Sequence, residues 1–65
     1  MSNLHKNIKK LRQEQGISQD KLSKLTNVSL NTIVKLELKI NPNPKLETVK
    51  KIAGALGVAI DSLIK

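Results

Sequence analysis

Apolar residues fall at helical spacing in four stretches of this chain and in a shorter fifth. Leu4, Ile8 and Leu11 stand at i, i+4 and i+7, with Lys6, Lys9 and Lys10 off that line, which predicts an amphipathic helix over residues 3–15. Ser2 or Asn3 is its cap, Gly16 its stop, and Ile17 the residue that inserts into the core behind it. Leu22 and Leu25 mark a second helix over residues 19–26, opened by Ser18 with Gln19 and Asp20 behind it. Ile33 and Leu36 mark a third over residues 30–38, opened by Ser29. In the fourth, residues 45–56, Leu46, Val49, Ile52, Ala53 and Leu56 form the buried stripe and Lys50 and Lys51 the wet side, with Gly57 as the stop. The closing residues 58–65 read as a short fifth helix with Ile60, Leu63 and Ile64 apolar. The expected fold class is therefore all-α, a compact bundle of five short helices filling a single domain over residues 1–65.

Only Asn27, Val28 and Ser29 separate the second helix from the third. Asn is the non-glycine residue that best tolerates the left-handed conformation at a helix end, Val28 is placed to plug the turn, and Ser29 is a cap. Two helices joined this tightly form a helix-turn-helix. The stretch over residues 18–37 resembles the helix-turn-helix of the phage repressor and Cro family, the XRE-type DNA-binding domains. That family has a Gln just inside the first helix, a small residue four positions on, a turn glycine, a Val, a Ser or Thr cap and a closing Glu. Gln19, Ser23, Asn27, Val28, Ser29 and Glu37 stand in those places, Ser23 for the usual Ala and Asn27 for the usual Gly. The resemblance runs from about Ile8 to the C-terminus and implies the lambda-repressor-like five-helix bundle.

The resemblance also implies roles. Helix 3 would present Leu30, Asn31 and Lys35 to base edges in the major groove, Asn31 reading adenine, Leu30 meeting a thymine methyl and Lys35 reaching guanine or a phosphate; the alternative is an ordinary helix surface, with Leu30 exposed by chance. Gln19 would hydrogen-bond a phosphate, with Ser29 and Thr32 as further backbone contacts. Arg12, the lone arginine beside eleven lysines, stands where the family has an Arg that pairs with the closing Glu, here Glu37. A guanidinium holds a carboxylate bidentately where an ammonium cannot; the alternative is two unrelated surface charges. The loop KINPNPK over residues 39–45 puts Lys39 where the family usually has Gly and is one residue longer, and Lys39, Asn41 and Asn43 are its phosphate candidates, against a merely solvated turn. Ile60, Leu63 and Ile64 stand where the family often forms a dimer contact; the alternative is that all three close the core.

Charge changes the picture next. Twelve Lys and Arg against five Asp and Glu give a formal charge of +7, which points to a polyanionic partner unless the basic surface serves solubility alone. With no Cys there are no disulfides or thiolate metal sites, and with no aromatic residue bases cannot be stacked, which sets RNA and single strands below duplex DNA. The single histidine, His5, has no acidic cluster near it in sequence and is expected to face solvent rather than bind metal. No catalytic constellation, phosphate-binding glycine loop or carboxylate cluster is visible, so no enzyme, cofactor or small-molecule substrate is expected. No apolar run approaches a membrane span, and the expected location is the cytoplasm, at the nucleoid. The function expected is a sequence-specific double-stranded DNA-binding transcriptional regulator, a repressor by family habit, acting as a homodimer, at least on DNA, on a palindromic operator. The alternative is a protein-binding module, such as an antitoxin-type partner, whose DNA binding is secondary.

Overall fold

The computed structural model describes residues 3–40 and 44–65. It is built from α1 (Leu4–Glu14), α2 (Gln19–Thr26), α3 (Leu30–Glu37), α4 (Leu46–Leu56) and α5 (Ile60–Ile64), with no strand among the described residues. Side chains close two of the helix ends. Ser18 Oγ accepts the Lys21 N–H at 3.0 Å to open α2, and Ser29 Oγ accepts the Thr32 N–H at 3.2 Å to open α3. Asn27 ends α2 at φ 58°, doing what glycine would do there. At Gly16, with φ 69°, the chain leaves α1 through paired bonds, Gly16 N–H to Gln13 O and Ile17 N–H to Arg12 O, and a Cβ would strain this backbone. Ile17, Val28 and Val58 each follow such a left-handed residue and pack against the core.

α1 lies against α3, α4 and α5, while α2 lies against α3 and α4. Ile8, Leu22, Ile33, Ile52 and Leu63 are fully buried at the centre. Aliphatic side chains fill this centre, and Thr26 and Glu37 are the buried polar residues among the described ones. Three amides of α1 and its ends reach across to helix carbonyls: Asn3 Nδ2 to Lys65 O at 2.8 Å, Asn7 Nδ2 to Leu63 O at 2.8 Å and Gln15 Nε2 to Leu56 O at 2.6 Å. They satisfy carbonyls that the last turns of α4 and α5 leave without a partner in their own helix.

Several expectations need correcting. Asn3 holds the cap position of α1, but its side chain is turned to Lys65 and makes no cap bond; Ser2 lies outside the described residues. Leu46 is 60% exposed and lies outside the buried stripe of α4, and Leu25, an apolar mark of α2, is 52% exposed. An eight-residue helix buries a narrow stripe, and the residue one turn beyond Leu22 on that stripe is Thr26, not Leu25. Thr26 is buried because its Oγ1 donates to Leu22 O at 2.8 Å, which leaves its methyl to pack. Leu46 is the first residue of α4, ahead of the point at which the helix meets the bundle, and the inward stripe starts at Val49. Leu63 is fully buried and therefore a core residue, not a dimer contact. His5 is half-buried on α1, and no group of three or more His, Cys, Asp and Glu able to hold a metal occurs among the described residues. No helix among them is long and apolar enough to cross a membrane.

Candidate nucleic-acid interface

α3 separates two sets of side chains. Ile33, Leu36 and Glu37 are buried, while Leu30, Asn31 and Lys35 are exposed, Leu30 at 42%. Asn31 and Lys35 are i and i+4, one above the other on the outer face, with Leu30 beside them. At the head of the helix the hydroxyls of Ser29 and Thr32 lie 2.8 Å apart, so both are committed to holding the first turn. Their polar atoms stay at the surface, Ser29 exposed and Thr32 half-buried.

The inner side of α3 is held by a three-residue polar cluster. Arg12 Nε donates to Glu37 Oε2 at 2.7 Å and Nη2 donates to Oε1 at 2.9 Å, a fork-to-fork pair whose side chains are 11% and 3% exposed. The third guanidinium nitrogen, Nη1, donates to Ile17 O at 2.9 Å. Gln19 Nε2 adds a donor to Glu37 Oε1 at 3.1 Å. The hydrogen bonds to Glu37 raise the Arg12 pKa above its ordinary value, burial opposes that, and the Glu37 charge adds to the rise. The cluster ties the end of α1, the approach to α2, the first turn of α2 and the last turn of α3 at one point. No buried side-chain polar atom is without a partner among the described residues.

The far end of α3 departs from ordinary backbone. Leu38 caps it, Lys39 sits at φ 62°, and the chain closes with Lys39 N–H to Leu36 O at 3.2 Å and Ile40 N–H to Lys35 O at 2.9 Å. Unlike Ile17, Val28 and Val58, the residue after this turn stays outside: Ile40 is 62% exposed, and Leu38 beside it 63%. A lysine in the left-handed region costs about 1 kcal/mol relative to glycine. Lys39→Gly is therefore expected to raise stability by up to about 1 kcal/mol in urea melts, the gain being reduced by glycine's greater freedom in the unfolded chain. Asn41 and Asn43 lie outside the described residues.

The remaining ion pairs are local. Asp20 meets Lys24 at 3.2 Å and Glu47 meets Lys51 at 3.6 Å, both exposed i,i+4 pairs that contribute little. Lys35 and Lys39 have no acidic partner among the described residues, so the positive charge at the outer face and tail of α3 is not neutralised from within.

A family model described as helix-turn-helix matches residues 8–63, most of the chain and all of the interface just described. The chain belongs to the Cro/C1-type helix-turn-helix family. This is a family of DNA-binding transcription regulators. A search among curated proteins finds no significant match. Two departures from the helix-turn-helix pattern have visible physical solutions here. Ser23, where Ala is usual, is half-buried with its Oγ donated to Asp20 O at 2.9 Å, and Asn27, where Gly is usual, takes the left-handed turn itself. What sequence reading did not place is the bond from Gln19 to Glu37, the bond from Arg12 to Ile17, and the amides of Asn7 and Gln15; none carries a local signal, because each partner is set by packing.

Proposed function

We propose that this chain is a sequence-specific double-stranded DNA-binding transcriptional repressor that reads the major groove with α3 as a two-fold homodimer on a palindromic operator at the nucleoid. The observation that carries the reading is the division of α3 into a face locked by Ile33, Leu36 and Glu37 and a free face bearing Leu30, Asn31 and Lys35. In this reading Asn31 pairs with adenine, Leu30 covers a thymine methyl and Lys35 reaches guanine or phosphate. Ser29, Thr32, Lys39 and the amide of Gln19 meet the phosphate chain and set the register. The bundle measures 24 × 21 × 19 Å, shorter than the roughly 34–36 Å of one helical turn of DNA, so one copy reaches one half-site and a second is needed for the next. With Leu63 in the core, the α5 contribution to such a dimer shrinks to Ile64, 36% exposed, and half-buried Ile60, which favours pairing on DNA over pairing in solution.

Selection of bound sequences from a randomised duplex pool tests the whole reading, and a palindrome with one preferred spacing is the expected result. Asn31→Ala or Leu30→Ala should relax preference at one base position, at a cost of about 1–3 kcal/mol. Lys39→Ala should weaken binding by a similar factor on every duplex and lower the salt dependence. An Asn31→Ala protein that selects the same sequences in the same order removes Asn31 from the readout.

A second reading has one observation in its favour. Leu38, Ile40 and Leu46, on either side of the loop between α3 and α4, are each at least 60% exposed, an amount of apolar surface that DNA does not use. They suit a protein-binding module of the antitoxin kind, and a gel shift with random duplex at low salt separates the two, since that module would owe its affinity to a protein partner.

A further inference from the structure

Glu37 accepts from two sides, and the second donor is the unexpected one. Oε1 receives both Arg12 Nη2 at 2.9 Å and Gln19 Nε2 at 3.1 Å, while Oε2 is taken by Arg12 Nε. The carboxylate is almost wholly buried, and the Arg12 fork fixes its plane. Gln19 is different in kind: it is half-buried, it is the first residue of α2, and its amide is planar with two hydrogens on one nitrogen. Once one of those hydrogens is directed inward to Oε1, planarity fixes the direction of the other.

An unconstrained Gln side chain has three soft torsions and an amide that can be turned end for end, presenting a carbonyl oxygen to a phosphate as readily as an N–H. The oxygen would repel the phosphate. Glu37 removes that choice, because its Oε1 is an acceptor and only the NH₂ end of the amide can face it.

We propose that Glu37, itself held by Arg12, is the positioning residue that orients the Gln19 amide so that its second N–H points outward as a preformed donor for a DNA phosphate. This rests on the reading that the start of α2 abuts the sugar-phosphate chain. The buried ion pair then has a task beyond joining α1 to α3. It lowers the ordering cost of a surface contact by fixing a side chain before DNA arrives. The contact is indifferent to base sequence, so the effect falls on overall affinity and not on which operator is chosen.

The test is a double-mutant cycle in affinity for a random-sequence duplex of about two helical turns at low salt, with folding of each protein checked by thermal melting. Gln19→Met in the native background should lose about tenfold in affinity. The paired substitution R12M with E37L replaces the ion pair by apolar side chains; it should lose a similar factor by itself, and adding Gln19→Met to it should cost almost nothing more. An equal further loss in both backgrounds would leave the Gln19 contact standing and overturn the role of Glu37. No loss from Gln19→Met in the native background would overturn the phosphate contact itself. A measurement on the unaltered protein covers the case in which the paired variant does not fold. Of the two Nε2 protons of Gln19, the one bonded to Glu37 should exchange slowly with solvent and the other quickly, and addition of DNA should protect the second. Two protons that exchange alike before DNA is added, or a second proton that DNA leaves unprotected, would overturn the proposal.

Discussion

Arg12→Met is expected to lower the unfolding free energy by roughly 3–5 kcal/mol, because it leaves the Glu37 carboxylate buried and without its charged partner. For a chain of 65 residues that is a large share of the total, which at roughly 0.05–0.15 kcal/mol per residue leaves a substantial unfolded fraction at room temperature. The structure adds a second loss, since the same guanidinium holds Ile17 O and so the approach to α2. Glu37→Leu alone should cost a comparable amount for the mirrored reason, a cation in a site that is 11% exposed. The paired R12M and E37L protein should be far more stable than the sum of the two losses implies, since apolar side chains of similar volume often replace a buried pair at little cost. Urea melts of the four proteins measure this directly, and strictly additive losses would contradict a coupled pair. The direction of the Arg12 pKa bears on pH. Its folded-state value is raised above an already high ordinary one. The stability tied to that group is thus fully present below its unfolded pKa and is lost only as pH climbs through the folded value, beyond the range in which such proteins are handled.

Leu22→Ala is expected to cost about 2–5 kcal/mol, and Leu25→Ala less than about 0.5 kcal/mol, although the two leucines lie one turn apart on the same short helix. Leu22 is fully buried where α2 meets α3 and α4, and its removal leaves a cavity among aliphatic neighbours that cannot collapse freely. Leu25 is 52% exposed. Midpoint shifts at constant m-value give the comparison, and a large loss at Leu25 would mean that it packs inward after all.

The contrast between these two residues shows how far the pattern of apolar positions could be read. Helix starts and stops were legible because their causes are local: a hydroxyl at Ser18 or Ser29, a left-handed residue at Gly16, Asn27 or Gly57. The split of α3 into an inner and an outer side follows from the spacing of Ile33 and Leu36 in the same way. Spacing locates the middle of a buried stripe but not its width, which is set by the neighbouring helix. That is why Leu46 reads as part of the buried stripe of α4 although it is exposed, and why Thr26 does not read as buried although it is. Thr26 was hidden further by its polar label, since a hydroxyl returned to its own helix makes the residue pack like valine. The three α1-side amides and the Gln19 bond could not be read at all, because their partners are 18 to 62 residues away along the chain. The pairing of Arg12 with Glu37 entered through family likeness, and composition contributed only that one arginine stood out among lysines.

The bond from Asn3 to the carbonyl of Lys65 brings the two ends of the described fold to one corner of the bundle. That corner belongs to α1 and α5, and α5 packs mainly on α1 and α4. A fluorescent tag, an affinity handle or a second folded module joined beside either residue would therefore leave from the same spot.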